Sequence, residues 1–200
     1  MRPYAIFLVS LFLSAALLFM AGGCTSTTVT FHATGTEPPL CRDSSKGVKT
    51  VIYWGAAWRA DQKEIARRET IIAKGVDDFF RTTHCFSVQT ISRIVDGRDV
   101  LLLGDKEILA SVPADVERVH ILRFEELGPV LVFYLSPILW TSDLDIQLRV
   151  RTLNARTGSF ESDVTVRWRK GGPFNLRGTD SLPPDLAGTL GAIFSEKPVP

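Results

Sequence analysis

Apolar positions recur along this chain with two periods, and the changes of period mark out its elements. Val48 to Trp54 is a run of β-branched and aromatic residues that predicts a first strand, broken at Gly55-Ala56-Ala57. From Asp61 to about Phe80 the spacing turns helical. Ile65, Ile72, Val76, Phe79 and Phe80 fall on one face, with Asp61 expected as N-cap and Glu64 completing a capping box. Phe86 to Ile94 predicts a second strand. Residues 100–111 predict a short helix or two turns, ended by Pro113-Ala114-Asp115. Arg118 to Glu125 places His120, Leu122 and Phe124 on one side and Val119 and Ile121 on the other, as in a strand covered on both faces. Val130 to Leu135, continued by Ile138-Leu139-Trp140, is expected to be a central buried strand.

The alternation is clearest further on. Ile146, Leu148 and Val150 alternate with Gln147, Arg149 and Arg151, and the pattern resumes as Phe160, Ser162, Val164, Val166 and Trp168. Two such runs around Asn154-Ala155-Arg156-Thr157-Gly158 predict a β-hairpin. A three-residue loop, Arg156-Thr157-Gly158 with Gly158 left-handed, pairs Ile146 with Trp168, Leu148 with Val166 and Val150 with Val164. It also sets Arg151 opposite Asp163 and Asp145 opposite Arg169. A five-residue loop gives Arg149–Asp163 and Asp145–Arg167 instead, so both registers stay open. Leu182 to Phe194 predicts a last helix, with Ser181 as N-cap, Pro183-Pro184 in the first turn and a narrow apolar face.

Ahead of the first strand the pattern changes character. Tyr4 to Met20 holds no charged residue, Arg2 precedes it, and Met20-Ala21-Gly22-Gly23-Cys24 closes it with small residues. The segment resembles the signal peptide and lipobox of a bacterial lipoprotein, with Ala21 where that pattern prefers Leu. The resemblance implies that Cys24 receives a diacylglyceryl group, that the chain is cut before it and that the new amino group is acylated. Thr25 in place of an aspartate then implies the outer membrane. Two or three acyl chains hold a protein on a bilayer stably, whereas one holds it only marginally. Residues 1–23 are therefore expected as lipoprotein signal peptide, 24–47 as a lipidated flexible tether rich in Thr, Ser, Pro and Gly, and 48–196 as a single α/β periplasmic domain. With Cys24 lipidated, Cys41 and Cys85 remain as an even pair in an oxidising compartment, where a disulfide between them is the expectation and two unrelated thiols the alternative.

Charge then removes partners. The chain has 23 Lys and Arg against 22 Asp and Glu, and Arg2 is the only charged residue of the signal segment. The rest is neutral, which gives no electrostatic case for nucleic acid. The basic positions of the hairpin, Arg149, Arg151, Arg167 and Arg169, suggest a phosphate or headgroup site, but Asp145, Glu161 and Asp163 sit among them as the balance of a solvated face.

Candidate chemistry is sparse. Glu69 interrupts the apolar stripe of the long helix, and a carboxylate there must be paired or protonated. It reads either as a ligand contact or general acid/base, or as half of an ion pair with Arg68, Arg93 or Arg98. Trp58, in the loop at the carboxyl end of the first strand, and Trp54 before it could stack on a sugar, and Trp140 is a third candidate; Trp168 is expected in the core. His84 beside Cys85 points to the opposite face of an extended chain, and His32, His84 and His120 are too scattered to ligate a metal. No Gly-x-Ser-x-Gly elbow or P-loop occurs, and no cofactor is implied.

The expected fold is α+β: a mostly antiparallel sheet with the two main helices on one face, behind a signal helix and flexible tether. In element order, through the strand–helix unit Val48 to Phe80 and the strand–turn Leu148 to Gly158, it resembles the periplasmic domains of the curli-secretion family and the TolB amino-terminal domain. The reading that follows is a membrane-anchored envelope lipoprotein acting through protein–protein contacts, an accessory or assembly subunit without catalysis. Its partners would be the bilayer, through acylated Cys24, and an envelope protein. A glycan or small-ligand module using Trp54, Trp58 and Trp140 is the alternative, and a hydrolase centred on Glu69 or His120 a remote one.

Overall fold

The computed structural model describes residues 25–41, 47–94, 103–133, 140–172 and 178–195. The signal segment, Cys24, Arg98 and the middle of the apolar run at 134–139 lie outside them. The elements are β1 (Ser26–Gly35), β2 (Val48–Ala56), α1 (Ile65–Thr82), β3 (Phe86–Arg93), α2 (Asp105–Ala110), β4 (Arg118–Phe133), β5 (Trp140–Asn154), β6 (Phe160–Gly171) and α3 (Leu182–Phe194), the last entered through a 3₁₀ turn at Thr179–Ser181.

The strands form one sheet in the order β1-β6-β5-β4-β2-β3. β1, β6, β5 and β4 pair antiparallel, whereas β2 is parallel to both β4 and β3. The class is α+β, but the sheet is mixed rather than mostly antiparallel. The reason is connectivity: β2 reaches β3 through α1, and β3 reaches β4 through α2, and helical crossovers of this kind return the chain in the same direction. The long helices α1 and α3 share one face, where Ile72, Val76, Phe80, Leu186, Leu190 and Phe194 pack on Ile52, Trp54, Leu122, Leu148 and Val166. The short α2 covers the other face through Ile108, against Val51, Val119, Ile121 and Leu153. β4 is thus buried on both sides, as its alternation indicates.

The stretch expected as a flexible tether contains the edge strand of the sheet. Ser26 to Gly35 pairs residue by residue with β6, from Ser26↔Gly171 to Gly35↔Ser162. Alternating Val29, Phe31 and Ala33 supply the inward side, and Thr residues are good strand formers, so a polar Ser/Thr composition conceals an edge strand. The chain then passes Leu40, whose N–H bonds the Ile193 carbonyl, to Cys41, which is disulfide-bonded to Cys85. Closing a loop of this size restricts the unfolded chain by roughly 4 kcal/mol. The bond fastens the link between β1 and β2 to the start of β3.

Three further expectations are corrected. The long helix starts at Ile65, not Asp61, because Glu64 stands left-handed at φ 55° with no side-chain cap. Ile65, at the mouth of that turn, is 41% exposed, and Arg68 takes a buried place on the helix. The apolar run expected as one central strand is divided between two: β4 runs to Phe133, β5 begins at Trp140, and the two pair with each other from Leu127↔Ile146 to Phe133↔Trp140, with 134–139 outside the described residues. Finally, the face of α3 is broad rather than narrow, burying nine of its residues; Gly188 lets Trp168 lie against the helix, where a Cβ would come within 2.9 Å of the indole.

The β5–β6 hairpin has the register of the three-residue loop, with Ile146↔Trp168, Leu148↔Val166, Val150↔Val164 and Gly158 at φ 71°. Asn154 Oδ1 accepts from the N–H groups of Arg156 and Thr157 and shapes the turn. Its ion pairs, however, run along the diagonals: Arg149 chelates Asp163 and Arg167 chelates Asp145. Long arginine side chains reach a diagonal neighbour as readily as the residue opposite.

Candidate functional site

At the carboxyl ends of β2 and β3 the chain leaves in two directions, toward α1 on one face and α2 on the other. Such a divergence is where open α/β sheets form a crevice. The residues singled out from the sequence meet there. Trp54, an inward residue of β2, is opposite Arg93, the last of β3, and Ile94 N–H bonds the Trp54 carbonyl at 2.9 Å. Arg93 lies over the Trp54 ring, 5.4 Å from its centroid, and pairs with Glu69 Oε1 at 2.5 Å. Trp58, in the loop after β2, donates its indole N–H to the same carboxylate oxygen at 3.4 Å. Glu69 on the helix stripe is therefore the anion of a closed set, neutralised by Arg93 and capped by Trp58.

A second polar layer lies beside it. Arg68 is only 5% exposed; its Nε donates to the Lys63 carbonyl at 2.8 Å, and Nη1 has no hydrogen-bond partner. Burial pushes its pKa below the ordinary guanidinium value, opposed by the charges of Glu126 and Glu64. The planar head lies against Gly128, where a Cβ would fall 1.6 Å from Nη1, so only glycine admits it. Arg59 closes the layer from outside by pairing with Glu126 at 3.0 Å.

The carboxylates of these layers are held by neighbouring cations. Glu69 takes both of its partners, Arg93 and Trp58, on Oε1. His120 is buried among Phe86 and Phe194 and bonds Thr152 Oγ1 through Nδ1 at 2.9 Å; burial lowers its pKa to about 3 and keeps it neutral. His84 and His32 are exposed and apart. The hairpin arginines are spoken for as well: Arg149 by Asp163, Arg151 by Asp105, Arg167 by Asp145 and Arg169 by Asp143. The balanced-face reading therefore holds over a phosphate site.

A groove lies elsewhere, at the opposite edge of the sheet. It has a volume of about 720 Å³ and runs between β1 and α3, lined by Val29, Phe31, Ala33, Pro38, Pro39, Trp168, Gly188 and Ala192 among others. Trp168, expected in the core, forms part of this wall, and its Nε1 is buried without a partner. Phe31 stands 39% exposed beside it. Among the described residues β1 pairs only with β6, which leaves its outer hydrogen-bonding edge open to them, and its ten residues include no Lys, Arg, Asp, Glu or Pro. Natural sheets normally guard such an edge with charge, proline or a bulge. The alternation Val29, Phe31, Ala33 was the signal available in the sequence for this surface.

No family model matches the chain, and no curated protein matches it. Among solved structures it is similar to a PelC dodecamer from Paraburkholderia phytofirmans, with 15% identity over 83% of this chain and 98% of that one and a TM-score of 0.46. It is also similar to lipoprotein GNA1162 from Neisseria meningitidis, with 9% identity over 72% and 92% and a TM-score of 0.38. A third is protein XCC0632 from Xanthomonas campestris, with 10% identity over 78% and 85% and a TM-score of 0.39.

Proposed function

We propose that this chain is a non-catalytic envelope lipoprotein, held on the periplasmic face of the outer membrane through acylated Cys24, that works by binding another protein as an accessory or assembly subunit. The observation that carries the protein-binding part is the open edge of β1 beside an apolar groove. An extended segment of a partner can add to such an edge through main-chain hydrogen bonds and seat alternate apolar side chains in the adjoining groove. The mutual neutralisation around Glu69 supports the non-catalytic part, since a general acid or base needs a free site facing substrate.

A photo-crosslinking residue at Phe31, compared with one at exposed Asp78 on α1, tests the edge. Adducts with one envelope protein at position 31, abolished by charge at Ala33, are expected; equal labelling at the two positions would remove the reading. Intact mass and membrane fractionation beside Cys24→Ser test the anchor. A mature chain that begins at triacylated Cys24 in the outer membrane is expected.

The ligand-binding alternative draws on Trp54 and Trp58 at the strand-end crevice. Trp54 is buried under Arg93, and Trp58 is half-buried with its N–H engaged, so the pair offers a sugar little free ring face. Tryptophan emission that shifts on addition of peptidoglycan or lipopolysaccharide fragments would revive it.

A further inference from the structure

The orientation of β1 fixes where the anchor sits. β1 begins at Ser26, paired with the last residue of β6, Gly171. Ser26 is two residues after Cys24, and two residues of extended chain reach about 7 Å at most. Resting on the lipid-anchor reading above, this removes the stand-off: one end of the sheet must lie at the depth of the acylated residue. β5 starts at this end, β4 finishes here, and β2 and β3 point their carboxyl ends the same way.

The β4–β5 ribbon projects furthest. β2 leaves β4 at Ala56↔Phe124, and the last rung between β5 and β6 is Leu144↔Lys170. Gly171 still lies against Asp143, so the rungs from Leu131↔Ser142 to Phe133↔Trp140 extend beyond every other strand. At about 3.3 Å per residue the overhang is roughly 10 Å. From Pro129 to Ser142 the sequence carries no charged residue. An uncharged projection of about 5–10 Å matches the depth at which amphipathic elements sit in the headgroup and acyl boundary.

We propose that the domain docks end-on on the phospholipid bilayer, with the outer rungs of the β4–β5 ribbon in the headgroup layer beside the Cys24 anchor. The sheet then stands upright on the membrane, its β5–β6 turn pointing away, and the open edge of β1 runs along the membrane normal. The cations at this end are largely matched, Arg59 by Glu126 and Arg67 by Asp180, so the docking depends on apolar contact and not on anionic lipid.

The test places an environment-sensitive fluorophore at Thr141 or at Arg156 of the lipidated chain, reconstituted in phosphatidylcholine vesicles with a headgroup quencher. The two positions are separated by about 45 Å of β5. Quenching at position 141 several-fold above that at 156, unchanged in high salt, is expected. Equal quenching, or stronger quenching at 156, overturns the orientation. Labels at Ser142 and Thr157 form a second pair should Thr141 fail to tolerate one. Mass analysis reports separately whether Cys24 is acylated. If it is not, coupling Cys24 to a maleimide lipid restores the same link, and the quenching comparison still decides the docking.

Discussion

The two edges of this sheet solve opposite problems. At the β2–β3 side, parallel strands are covered by helices on both faces, and the two carboxylates of the crevice are paired internally: Glu69 by Arg93 and Trp58, Glu126 by Arg59. At the β1 side the strand carries no Lys, Arg, Asp or Glu, no other described strand pairs with its outer edge, and a largely apolar groove lies beside it. Charged residues build the first edge, and plain Thr, Val, Phe and Ala make up much of the second.

The contrast can be broken from the scaffold side first. Gly128→Ala drives a methyl into the buried Arg68 head and should cost about 2–3 kcal/mol, read as a lower denaturant midpoint with an unchanged slope. An unchanged midpoint would mean that Arg68 is free to move, and that the polar layer is not part of the scaffold. Next in size is a pH effect from His120. Its folded pKa of about 3 lies below the ordinary 6.5, so in this range the unfolded state binds the extra proton. Its contribution is fully present above pH 6.5 and is lost as pH falls toward 3, at about 1.4 kcal/mol per unit. Stability at pH 5 should therefore be about 2 kcal/mol below that at pH 7.5, and His120→Phe should flatten the dependence.

Glu69→Gln should cost no more than about 1 kcal/mol, since Arg93 is half-exposed and can turn to water. A larger loss, or the gain or loss of a ligand response in tryptophan emission, would turn the cluster from scaffold into site. The smallest effect sharpens the other side. Phe31→Glu should change stability by under about 0.5 kcal/mol because the ring is already exposed, while partner crosslinking at β1 disappears. If stability falls sharply instead, the groove wall belongs to the core.

How much of this was legible follows the strength of each local signal. The hairpin register was among the two that the alternation allowed, and Gly158 in the left-handed position selected the observed one. Glu69 stood out because it violated a helical stripe, and its partner Arg93 was one of three arginines considered. What periodicity could not show was strand direction: Val48–Trp54 and Phe86–Ile94 look alike whether parallel or antiparallel, and the mixed sheet was missed for that reason. The start of α1 was misplaced because a left-handed Glu64 imitates a capping residue in type but not in geometry. β1 was hidden by composition, since an exposed edge strand buries one residue in two at best and Ser/Thr fill the rest. Trp168 has the period of a core residue, and only the groove shows that one side of it is left uncovered.

The pairing of β1 with β6 also governs when this protein can fold. Ser26 and Gly171 are 145 residues apart, so one of the first strands to emerge during synthesis or translocation waits for nearly the last. Contacts of such long sequence separation form slowly, because the loop must close before the pairing is rewarded. Until β6 arrives, β1 is an unpaired, uncharged strand, available to whatever strand it meets first. The interval between synthesis of β1 and completion of the sheet is then the period in which this molecule is most exposed to mispairing, and a chaperone that recognises extended apolar segments would find its target at residues 26–35.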